Sequence, residues 1–564
     1  MHKLTGMDAT FLYMETDETP MHVSGLLICE PPQEGENPYE ALKSQIAARA
    51  HEIPSFHRKL MPTPFYVDHP VWVTAETVDL DYHIKHARLP APGNVEQLRE
   101  IIQGLHSLTL DRDRPLWQFY IIEGVEDEAF GLKKGSFALY TKSHHASIDG
   151  GAGIAVLDII SDREPTPRPP LPKNKIRLYS EKPGAFELLG SSYGRFLQQQ
   201  VDFVKSVPDL VKAAGSFAKV ASEDTSAVMK NLKPAPKTRF NVRIQKQRAY
   251  GAQSLMLMDV IALAKRTSTT LNDVVLSICG GALRRYLDNH KELPEESLIA
   301  AVPVSLRELG DASNTNQVAG MTCGLATDIA DPMKRLLAVN ENAKGAKKQL
   351  ATVKDIFPTD YSFFGAPILV SAMAQLTSRT DIMNYMPSPI NVTISNVPGP
   401  RRHVYFAGSR VVANFPVSIA THGCALNITL QSYVDRLDFG LIACKIAVPD
   451  VQDIADFIVE EFEILQKAAE KLPMPARKDK LSGAKAPASK TAAKKATPSS
   501  KPATATQPAK PTTKPASVKK APAKSAVKKA VVKKASVSKA NGKKPAVRKA
   551  SLRKASLSPR GTKA

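Results

Sequence analysis

Short apolar runs alternate with amphipathic stretches along the first 470 residues of the chain. Runs bounded by polar or turn-forming residues are typical of buried strands, whereas apolar residues three and four positions apart indicate helices. The pattern predicts strands at 20–29, 65–73, after 117, and at 136–142, 253–258, 298–304, 317–325, 390–395, 411–413, 425–432 and 437–443. It predicts helices at 39–51, 95–108, 151–160, 186–221, from 260, and at 269–287 and 449–472. This alternation predicts an α/β fold rather than an all-helical one.

A Pro-rich stretch at 164–172 interrupts the alternation and reads as a linker. The helix predicted at 186–221 is broken near Pro208, and basic residues are interspersed among its apolar positions. It is either a crossover helix that packs on the body or an amphipathic element that faces a membrane. The predicted division is 1–163 for a first half, 164–238 for linker and crossover helices, 239–472 for a second half and 473–564 for a tail.

The net charge of +21 belongs to the C-terminal tail. Residues 471–564 hold 27 Lys and Arg against a single Asp, a net of +26, so the preceding 470 residues carry −5. The tail is mostly Lys, Ala, Pro, Ser, Thr and Val, a composition that cannot bury enough surface to offset its ordering entropy. We therefore expect a disordered basic tail on an ordinary, slightly acidic globular body, whose charge gives no reason to expect nucleic acid.

The five cysteines are odd in number and form no Cys-x-x-Cys pair. This pattern argues against a disulfide framework or a structural zinc site and favours separate buried thiols in a reducing compartment. The N-terminus lacks the apolar core of a signal peptide, and no apolar run approaches eighteen residues. We expect a cytoplasmic protein without a transmembrane helix.

Two adjacent histidines, His144 and His145, occur where a predicted strand changes into a predicted helix. Imidazole takes up a proton near neutral pH, and a general base of this kind contributes roughly a hundredfold to ten-thousandfold in rate. Asp149 either supports such a base, caps the following helix or pairs with a distant Arg. Gly150 gives the chain freedom to turn.

Other acyl-transfer and hydrolytic chemistries find little support in the sequence. No cysteine has a recognisable nucleophile setting, and the Gly-x-Ser-x-Gly elbow is absent. Adjacent side chains on a strand point to opposite faces, which makes joint metal ligation by His144 and His145 awkward. No metal site is predicted.

The motif His144-His145-x-x-x-Asp149-Gly150 resembles the active-site signature of the bacterial wax ester synthase/acyl-CoA:diacylglycerol acyltransferase family. That family belongs to the CoA-dependent acyltransferase superfamily, with chloramphenicol acetyltransferase and condensation domains. The resemblance extends over residues 4–470 and leaves out the tail. Its further motifs are Met7-Asp8, Phe11-Leu12, Pro20-Met21-His22, Pro115-Leu116-Trp117, Asn272-Asp273 and the segment containing Ser395, Asn396, Pro398, Gly399 and Pro400.

The resemblance implies two similar chloramphenicol-acetyltransferase-like halves with a tunnel between them. It implies that His145 is the general base, because His145 stands four residues before Asp149, and that acyl-CoA is a co-substrate with no further cofactor. His144 would then position the base, and Asp149 would support the structure. The reaction would transfer a long acyl chain to diacylglycerol or a long-chain alcohol without an acyl-enzyme.

The other motifs allow two interpretations each. Asn272 either donates a hydrogen bond near the site or caps the helix at 269–287, together with Asp273. The segment 395–400 either lines the tunnel or is a rigid turn. Pro115 and Leu116 accompany Trp117, for which a core position is favoured over substrate contact.

The tail and the surroundings of the enzyme also leave alternatives open. Three interpretations of the tail stay open. It binds anionic lipid, where each Lys or Arg near the surface contributes about 1 kcal/mol, or it binds nucleic acid through counterion release. In the third interpretation it has no specific partner. We expect peripheral association with the inner face of the membrane or with lipid inclusions. The alternatives in function are a non-catalytic scaffold for lipid particles or nucleic acid, and an acyltransferase of the same fold with another hydroxyl acceptor.

Overall fold

The computed structural model describes residues 2–64, 68–148, 150–172, 184, 186–187, 190, 194, 234–305, 318–353 and 366–472. The chain divides into two units, Met1–Asp479 and Lys480–Ala564, and the architecture below is that of the first. Its strands are β1 (His2–Lys3), β2 (His22–Cys29), β3 (Arg58–Met61), β4 (Val71–Thr74), β5 (Ile84–Arg88), β6 (Trp117–Glu123), β7 (Phe137–His144), β8 (Arg248–Met256), β9 (Ile299–Ser305), β10 (Val318–Gly324), β11 (Val392–Val397), β12 (Tyr405–Phe406), β13 (Ser409–Val417), β14 (Leu426–Tyr433) and β15 (Arg436–Cys444).

The α-helices surround these strands. They are α1 (Gly6–Met14), α2 (Pro38–Arg49), α3 (Leu80–His83), α4 (Val95–His106), α5 (Gly150–Ile160), α6 (Leu257–Arg266), α7 (Leu271–Asn289), α8 (Pro332–Val353), α9 (Ala366–Arg379) and α10 (Val451–Glu470). Short 3-10 turns occur at Ala50–Glu52, Pro54–His57, Glu128–Phe130 and Asp381–Asn384.

Two six-stranded mixed sheets form the two halves of the fold. The first has the order β12-β13-β2-β7-β6-β5, and the second has the order β10-β9-β11-β14-β15-β8. Each combines antiparallel with parallel neighbours, β5 with β6 in the first and β11 with β9 and β14 in the second. The predicted α/β architecture with two similar halves is confirmed. A third, three-stranded sheet has the order β1-β4-β3.

The first sheet is completed by strands that come late in the chain. β13 pairs with β2, although about 380 residues separate them along the sequence. The strand predicted at 411–413 therefore belongs to the first sheet, so the predicted boundary at residue 239 does not separate the two sheets along the chain. β13 thus gives β2 a neighbour on both sides, and β7, which ends at His144, lies inside the sheet between β2 and β6.

Apolar side chains from both sheets share one core where the halves meet. Leu26 and Ala138 of the first sheet pack in the same buried cluster as Tyr250 and Ile442 of the second. Larger clusters lie under α7, α8 and α10 in the second half and around Trp117 in the first. The shared core joins the halves into one body.

Several observed elements differ from the prediction. α1, α8 and α9 were not predicted, and β8 begins at Arg248 rather than 253. The last helix begins at Val451, so the predicted start at Pro449 is wrong. Most of the helix predicted at 186–221, residues 65–67 of the strand predicted at 65–73, and the whole tail lie outside the described residues.

Candidate active site

The strand β7 ends at His144, and the turn that follows is closed by hydrogen bonds back to that residue. The Ser147 amide and hydroxyl donate to the His144 carbonyl over 2.9 and 2.8 Å. The Ala146 amide donates to His144 Nδ1 over 3.0 Å. His144 is fully buried, whereas the next residue, His145, is half-buried. The turn therefore holds one ring inside the fold and brings the other towards its surface.

The ring of His145 is held from one side by an aromatic partner. It stacks on Phe11 of α1, with ring centroids 4.0 Å apart and planes 14° apart. The His145 amide donates to the Met21 carbonyl over 2.9 Å. Gly150 is the first residue of α5, one residue earlier than the predicted helix start, whereas Asp149 lies outside the described residues, so its supporting role stays a prediction.

Glu15 is a buried carboxylate beside His144. Its Oε1 lies 3.4 Å from His144 Nε2 and accepts the Met21 amide over 3.1 Å. Arg112 donates its Nε and Nη2 to Oε2 over 3.0 and 2.8 Å. Burial raises the pKa of the Glu15 carboxyl, but the contacts with His144 and Arg112 outweigh it and lower that pKa to about 2. The carboxylate is therefore ionised at neutral pH.

Two further buried histidines lie behind this turn. His22 faces His144 across the β2–β7 pair, and His22 Nε2 lies 3.0 Å from the carbonyl of His106. His106 Nδ1 contacts the Tyr140 hydroxyl and Nε2 contacts the Ser418 carbonyl, both at 2.7 Å. Burial, with nearby positive charge, lowers the pKa of His106 to about 3 and that of His22 well below its usual value. Both rings are neutral near pH 7 and hold elements together.

Lys142 of β7 is a buried amine two residues before His144. Its Nζ donates to the carbonyls of Leu105, over 2.9 Å, and Leu108. Burial lowers the pKa of Lys142 to about 7, against the opposing charge of Glu15. These carbonyls lie at the end of α4, where a helix leaves acceptors unsatisfied and favours a cation. Lys142 therefore caps α4 from the histidine strand.

The Pro115-Leu116-Trp117 motif supports the histidine strand from β6. Leu116 is buried, and its carbonyl accepts the His144 amide over 3.0 Å. Trp117 stacks on Phe56, with centroids 3.9 Å apart, and lies in the core of the first half. These contacts agree with the core position that is favoured over substrate contact for Trp117.

The start of α7 assigns different positions to Asn272 and Asp273. Thr270 is the N-cap residue, and its hydroxyl accepts the Asp273 amide while Asp273 Oδ2 accepts the Thr270 amide over 2.9 Å. Asp273 is buried and also accepts from Asn340 Nδ2 over 2.7 Å. Of the two interpretations of Asn272, the helix cap is wrong, because Thr270 occupies the N-cap position. Asp273 completes the cap and does not line the neighbouring cavity.

A cavity of about 710 Å³ gathers the remaining motif residues of the second half. Asn272, Asn396, Pro398 and Pro400 all line it, although more than 120 residues separate the first from the others. Its other walls are mostly apolar, with Lys347 and Arg401 as its cations. The further lining residues are Leu257, Ile261, Leu271, Val302, Pro303, Val304, Met321, Ser432, Val434 and Leu437.

Ser395 and Gly399 accompany this cavity without lining it. Ser395 lies on β11, paired with Thr429 of β14. A Cβ atom at Gly399 would lie 2.1 Å from the carbonyl oxygen of Ser432, and the Gly399 amide donates to the Ser432 hydroxyl over 3.1 Å. Glycine is needed there because the turn passes so close to β14.

The predicted site residues fall into two groups in the structure. The described lining of the 710 Å³ cavity includes neither His144 nor His145. A second cavity, of about 470 Å³, lies between the halves, with Glu15 and Arg112 on one side and Ser378 and Arg379 of α9 on the other. Glu15 lines this smaller cavity and also contacts His144, so it connects the histidine turn with the part of the fold that faces the second half.

Three neighbours of the histidines were missed as functional residues. In the sequence Phe11 belongs to one of the motifs of the resemblance, and no role is predicted for Glu15 or Lys142. The four-residue spacing of Phe11 and Glu15 was a usable signal, because residues four apart share one side of a helix. Lys142 had no signal of its own, since burial of an amine depends on elements distant in the chain.

Three further features concern the cysteines, metal binding and membrane insertion. All five thiols are free and buried, and burial raises the pKa of Cys279 to about 12 and of Cys323 to about 11. Over the described ranges, no cluster of three or more His, Cys, Asp or Glu side chains could hold a metal ion. None of the described helices is long and apolar enough to cross a membrane.

The fold places the chain among proteins built like condensation domains. The first condensation domain of the calcium-dependent antibiotic synthetase superposes with a TM-score of 0.50 at 14% identity, over 84% of this chain and 99% of its own. The wax ester synthase/diacylglycerol acyltransferase from Marinobacter aquaeolei VT8 superposes with a TM-score of 0.58 at 29% identity, over 83% of this chain and 100% of its own.

Sequence comparison narrows the class to a family. Residues 4–275 match the family described as wax ester synthase/diacylglycerol acyltransferase catalytic domain, and residues 314–466 match its C-terminal domain. A Mycobacterium tuberculosis (strain H37Rv) protein that carries the name diacylglycerol O-acyltransferase is 36% identical over 467 residues, which is 82% of this chain and 99% of that one. The O-acyltransferase WSD of Acinetobacter baylyi is 32% identical over 474 residues, 83% of this chain and 97% of its own. The chain belongs to the wax ester synthase/diacylglycerol acyltransferase family and is an O-acyltransferase.

Proposed function

We propose that this enzyme transfers a long acyl chain from acyl-CoA to the hydroxyl of diacylglycerol or of a long-chain alcohol, with His145 as the general base. Family membership supports the reaction class. The observation that carries the assignment of the base is the half-buried ring of His145, stacked on Phe11 at the end of β7. His144 is fully buried and in contact with Glu15, so it is the less accessible of the two rings.

The proposed reaction needs one proton acceptor and no covalent intermediate on the protein. The His145 imidazole takes the proton from the acceptor hydroxyl while the hydroxyl oxygen attacks the thioester carbonyl carbon. The tetrahedral intermediate collapses, the carbon–sulfur bond breaks, and the imidazolium returns the proton to the departing CoA sulfur. The products are an oxygen ester and CoA thiol, and His145 is regenerated.

The larger cavity of the second half is a suitable site for part of the substrate. Its apolar walls fit an acyl chain, and Lys347 and Arg401 fit anionic groups such as the phosphates of CoA. The Asn272 and Asn396 side chains supply amide donors in the same wall. We propose that these two amides orient a polar group of the acyl donor or acceptor.

Replacing His145 by Ala should test the base directly. We expect His145→Ala to lower transfer roughly a hundredfold to ten-thousandfold, because no other described group takes its place, while the thermal unfolding midpoint changes little. The measurement is acyl-CoA consumption and product analysis with diacylglycerol and hexadecanol offered together, which also identifies the preferred acceptor.

His86→Ala is the matched control for this experiment. His86 is also a histidine of the first half stacked on an aromatic ring, that of Tyr39, with centroids 4.6 Å apart. We expect this variant to keep near wild-type turnover. Wild-type-like product formation by His145→Ala would refute the assignment of the base. Transfer by the wild type only to another hydroxyl acceptor would refute the proposed substrate class.

We also propose peripheral attachment to a lipid surface, since the acceptor and product are lipids. Exposed apolar side chains on and after α9 support this, among them Met373 and Tyr385, the latter with Lys237 5.8 Å from its ring centroid. The basic tail would add charge attraction of about 1 kcal/mol per Lys or Arg near anionic lipid. A salt titration with anionic vesicles and with DNA, comparing the full chain with one ending at Leu472, tests the tail. Equal binding by both chains would exclude any role for it.

A further inference from the structure

The N-terminal helix α1 presents two side chains to the two histidines. Thr5 caps the helix, its hydroxyl accepting the Asp8 amide over 3.1 Å. Phe11 lies in the helix and Glu15 is its C-cap residue, four positions later. Residues with this spacing share one side of a helix. Neither side chain takes a part in the proton transfer described above.

Phe11 defines the plane of the His145 ring. The two rings are nearly parallel, 14° apart, with 4.0 Å between their centroids. Stacked aromatic pairs of this kind stabilise their relative orientation beyond the effect of burying their surface. A flat contact on one face restricts rotation of the imidazole.

The Ala146 amide defines the tautomer of His144, and Glu15 faces the ring from its other nitrogen. The Ala146 amide donates to His144 Nδ1, so Nδ1 carries no proton and the ring proton is on Nε2. That Nε2–H lies 3.4 Å from the ionised Glu15 carboxylate, a distance longer than an ordinary hydrogen bond, so the carboxylate faces the N–H dipole of the ring. The same Ala146 contact closes the turn that carries His145.

Glu15 also acts on His145 through the backbone of Met21. Glu15 Oε1 accepts the Met21 amide, and the Met21 carbonyl accepts the His145 amide. Arg112 keeps the carboxylate in place from the other side, donating to Oε2 and to the Leu12 carbonyl over 2.6 Å. Both histidines are thus tied to one carboxylate, one through its ring and one through its main chain.

We propose that Glu15 and Phe11 are positioning residues for the acyl transfer, which hold the His144–His145 turn so that the His145 ring meets the acceptor hydroxyl in a reactive orientation. The inference rests on the proposed role of His145 as base. It assigns no proton transfer to Glu15 itself. A misplacement of about 1 Å at a reacting group costs about a hundredfold in rate, which is the effect expected when the turn loses its support.

Glu15→Gln is the direct test, with Glu52→Gln as its matched control. Glu52 is also a buried carboxylate of the first half that accepts an Arg fork, from Arg168, and one backbone amide, from Leu171 over 2.8 Å, yet none of its contacts involves the histidine turn. We expect Glu15→Gln to lower kcat about a hundredfold with the KM for acyl-CoA within about twofold of wild type. Glu52→Gln should leave both constants unchanged at a similar loss of thermal stability.

Phe11→Leu provides a second variant that keeps the carboxylate and an apolar side chain. It should lower kcat about tenfold, again with KM unchanged. If Glu15→Gln does not fold, this variant tests the proposed positioning role in its place. A kcat for the folded variants no lower than that of Glu52→Gln would overturn the proposal. A wild-type enzyme without transfer, or an active His145→Ala variant, would overturn the proposed function instead, so the two failures are distinguishable.

Discussion

His144 and His145 are neighbours in the chain, but their surroundings give them different chemistry. The ring of His144 is enclosed and held by Ala146 and Glu15, whereas the ring of His145 is half-buried and stacked on Phe11. Successive side chains at a strand end point in different directions, so adjacent residues reach different environments. One histidine can therefore hold the turn while the other performs the reaction.

Asn272 and Thr270 lie two positions apart at the start of α7 but have different roles. Asn272 lines the cavity, whereas Thr270 caps the helix. Asn272→Ala should leave the free energy of unfolding within about 0.5 kcal/mol, because its side chain faces the cavity and not the helix end. The variant should lose roughly ten- to hundredfold in turnover, the equivalent of one hydrogen bond to a charged group. Urea unfolding and steady-state kinetics on the same preparation measure both quantities.

Thr270→Ala is the control for that experiment. The Thr270 hydroxyl caps α7, so its loss should cost about 1 kcal/mol of stability with little change in turnover. The opposite pattern, in which Asn272→Ala loses stability and keeps its turnover, would mean that the cavity residue has only a structural role.

The buried His106 at the end of α4 should make the free energy of unfolding depend on pH. His106 is neutral in the fold, with its Nε2 against the Ser418 carbonyl and its pKa lowered to about 3 by burial and by the charge of Lys142, against 6.5 for an exposed histidine. Between these values the unfolded chain binds a proton that the folded one does not, so the free energy of unfolding falls as pH drops from about 6.5 to about 3. The loss is on the order of a few kcal/mol, since each pKa unit corresponds to about 1.4 kcal/mol.

His106→Gln should therefore make this pH dependence shallower. Lys142 and Arg248 are the cations whose charge lowers the pKa of His106, and the variant keeps both. The His22 ring packs edge-on against His106, with centroids 4.5 Å apart, so the variant removes the titration of His106 together with its charge coupling to His22. Urea unfolding at a series of pH values between 3 and 7 measures the slope. His86→Gln should keep the wild-type slope, because its contacts are with Tyr39 and Glu123 at the other end of the sheet. An unchanged slope in His106→Gln would show that His106 does not cause the loss of stability at low pH.

Local periodicity was sufficient for some elements and insufficient for others. The strand β14 and the helix α4 have long apolar or periodic patterns, and both were predicted within about two residues of their ends. The helix α8 repeats buried apolar residues at Leu336, Val339 and Ala343, a pattern that was present but overlooked. α1 is short, and part of its buried surface comes from packing on α9, so its helical form depends on contacts distant in the chain.

The two halves meet at a backbone crossing that leaves no room for a side chain. A Cβ atom at Gly440 of β15 would lie 1.7 Å from the carbonyl oxygen of Pro416 in β13. Beside it, Asp438 of β15 is fully buried and accepts the Asn414 amide of β13 over 2.8 Å. Gly440→Ala should force these strands apart and cost about 1–3 kcal/mol or more, as overpacking of a core does.

Gly320→Ala is the matched control for the crossing. Gly320 also lies in a strand of the second sheet, the edge strand β10, but a Cβ there meets no heavy atom within 4 Å. We expect the control to change the free energy of unfolding by less than about 1 kcal/mol. Gly440→Ala alone should lower activity, because displacing β13 disturbs β2, which pairs with the histidine strand β7. Urea unfolding with parallel assays measures both effects, and equal behaviour of the two variants would show that the halves tolerate separation.

Local sequence was enough to predict the α/β class, most strands, the histidine turn and the charge of the tail, because apolar periodicity, turn residues and composition are properties of neighbouring residues. Tertiary structure alone decided that β13 completes the first sheet, that Thr270 rather than Asn272 caps α7, and that Glu15 and Lys142 are buried around His144. It also placed Asn272, Asn396, Pro398 and Pro400 around one cavity whose described lining does not include His144 or His145. The physical reason is that burial and pairing depend on elements hundreds of residues apart, whose approach no local pattern encodes.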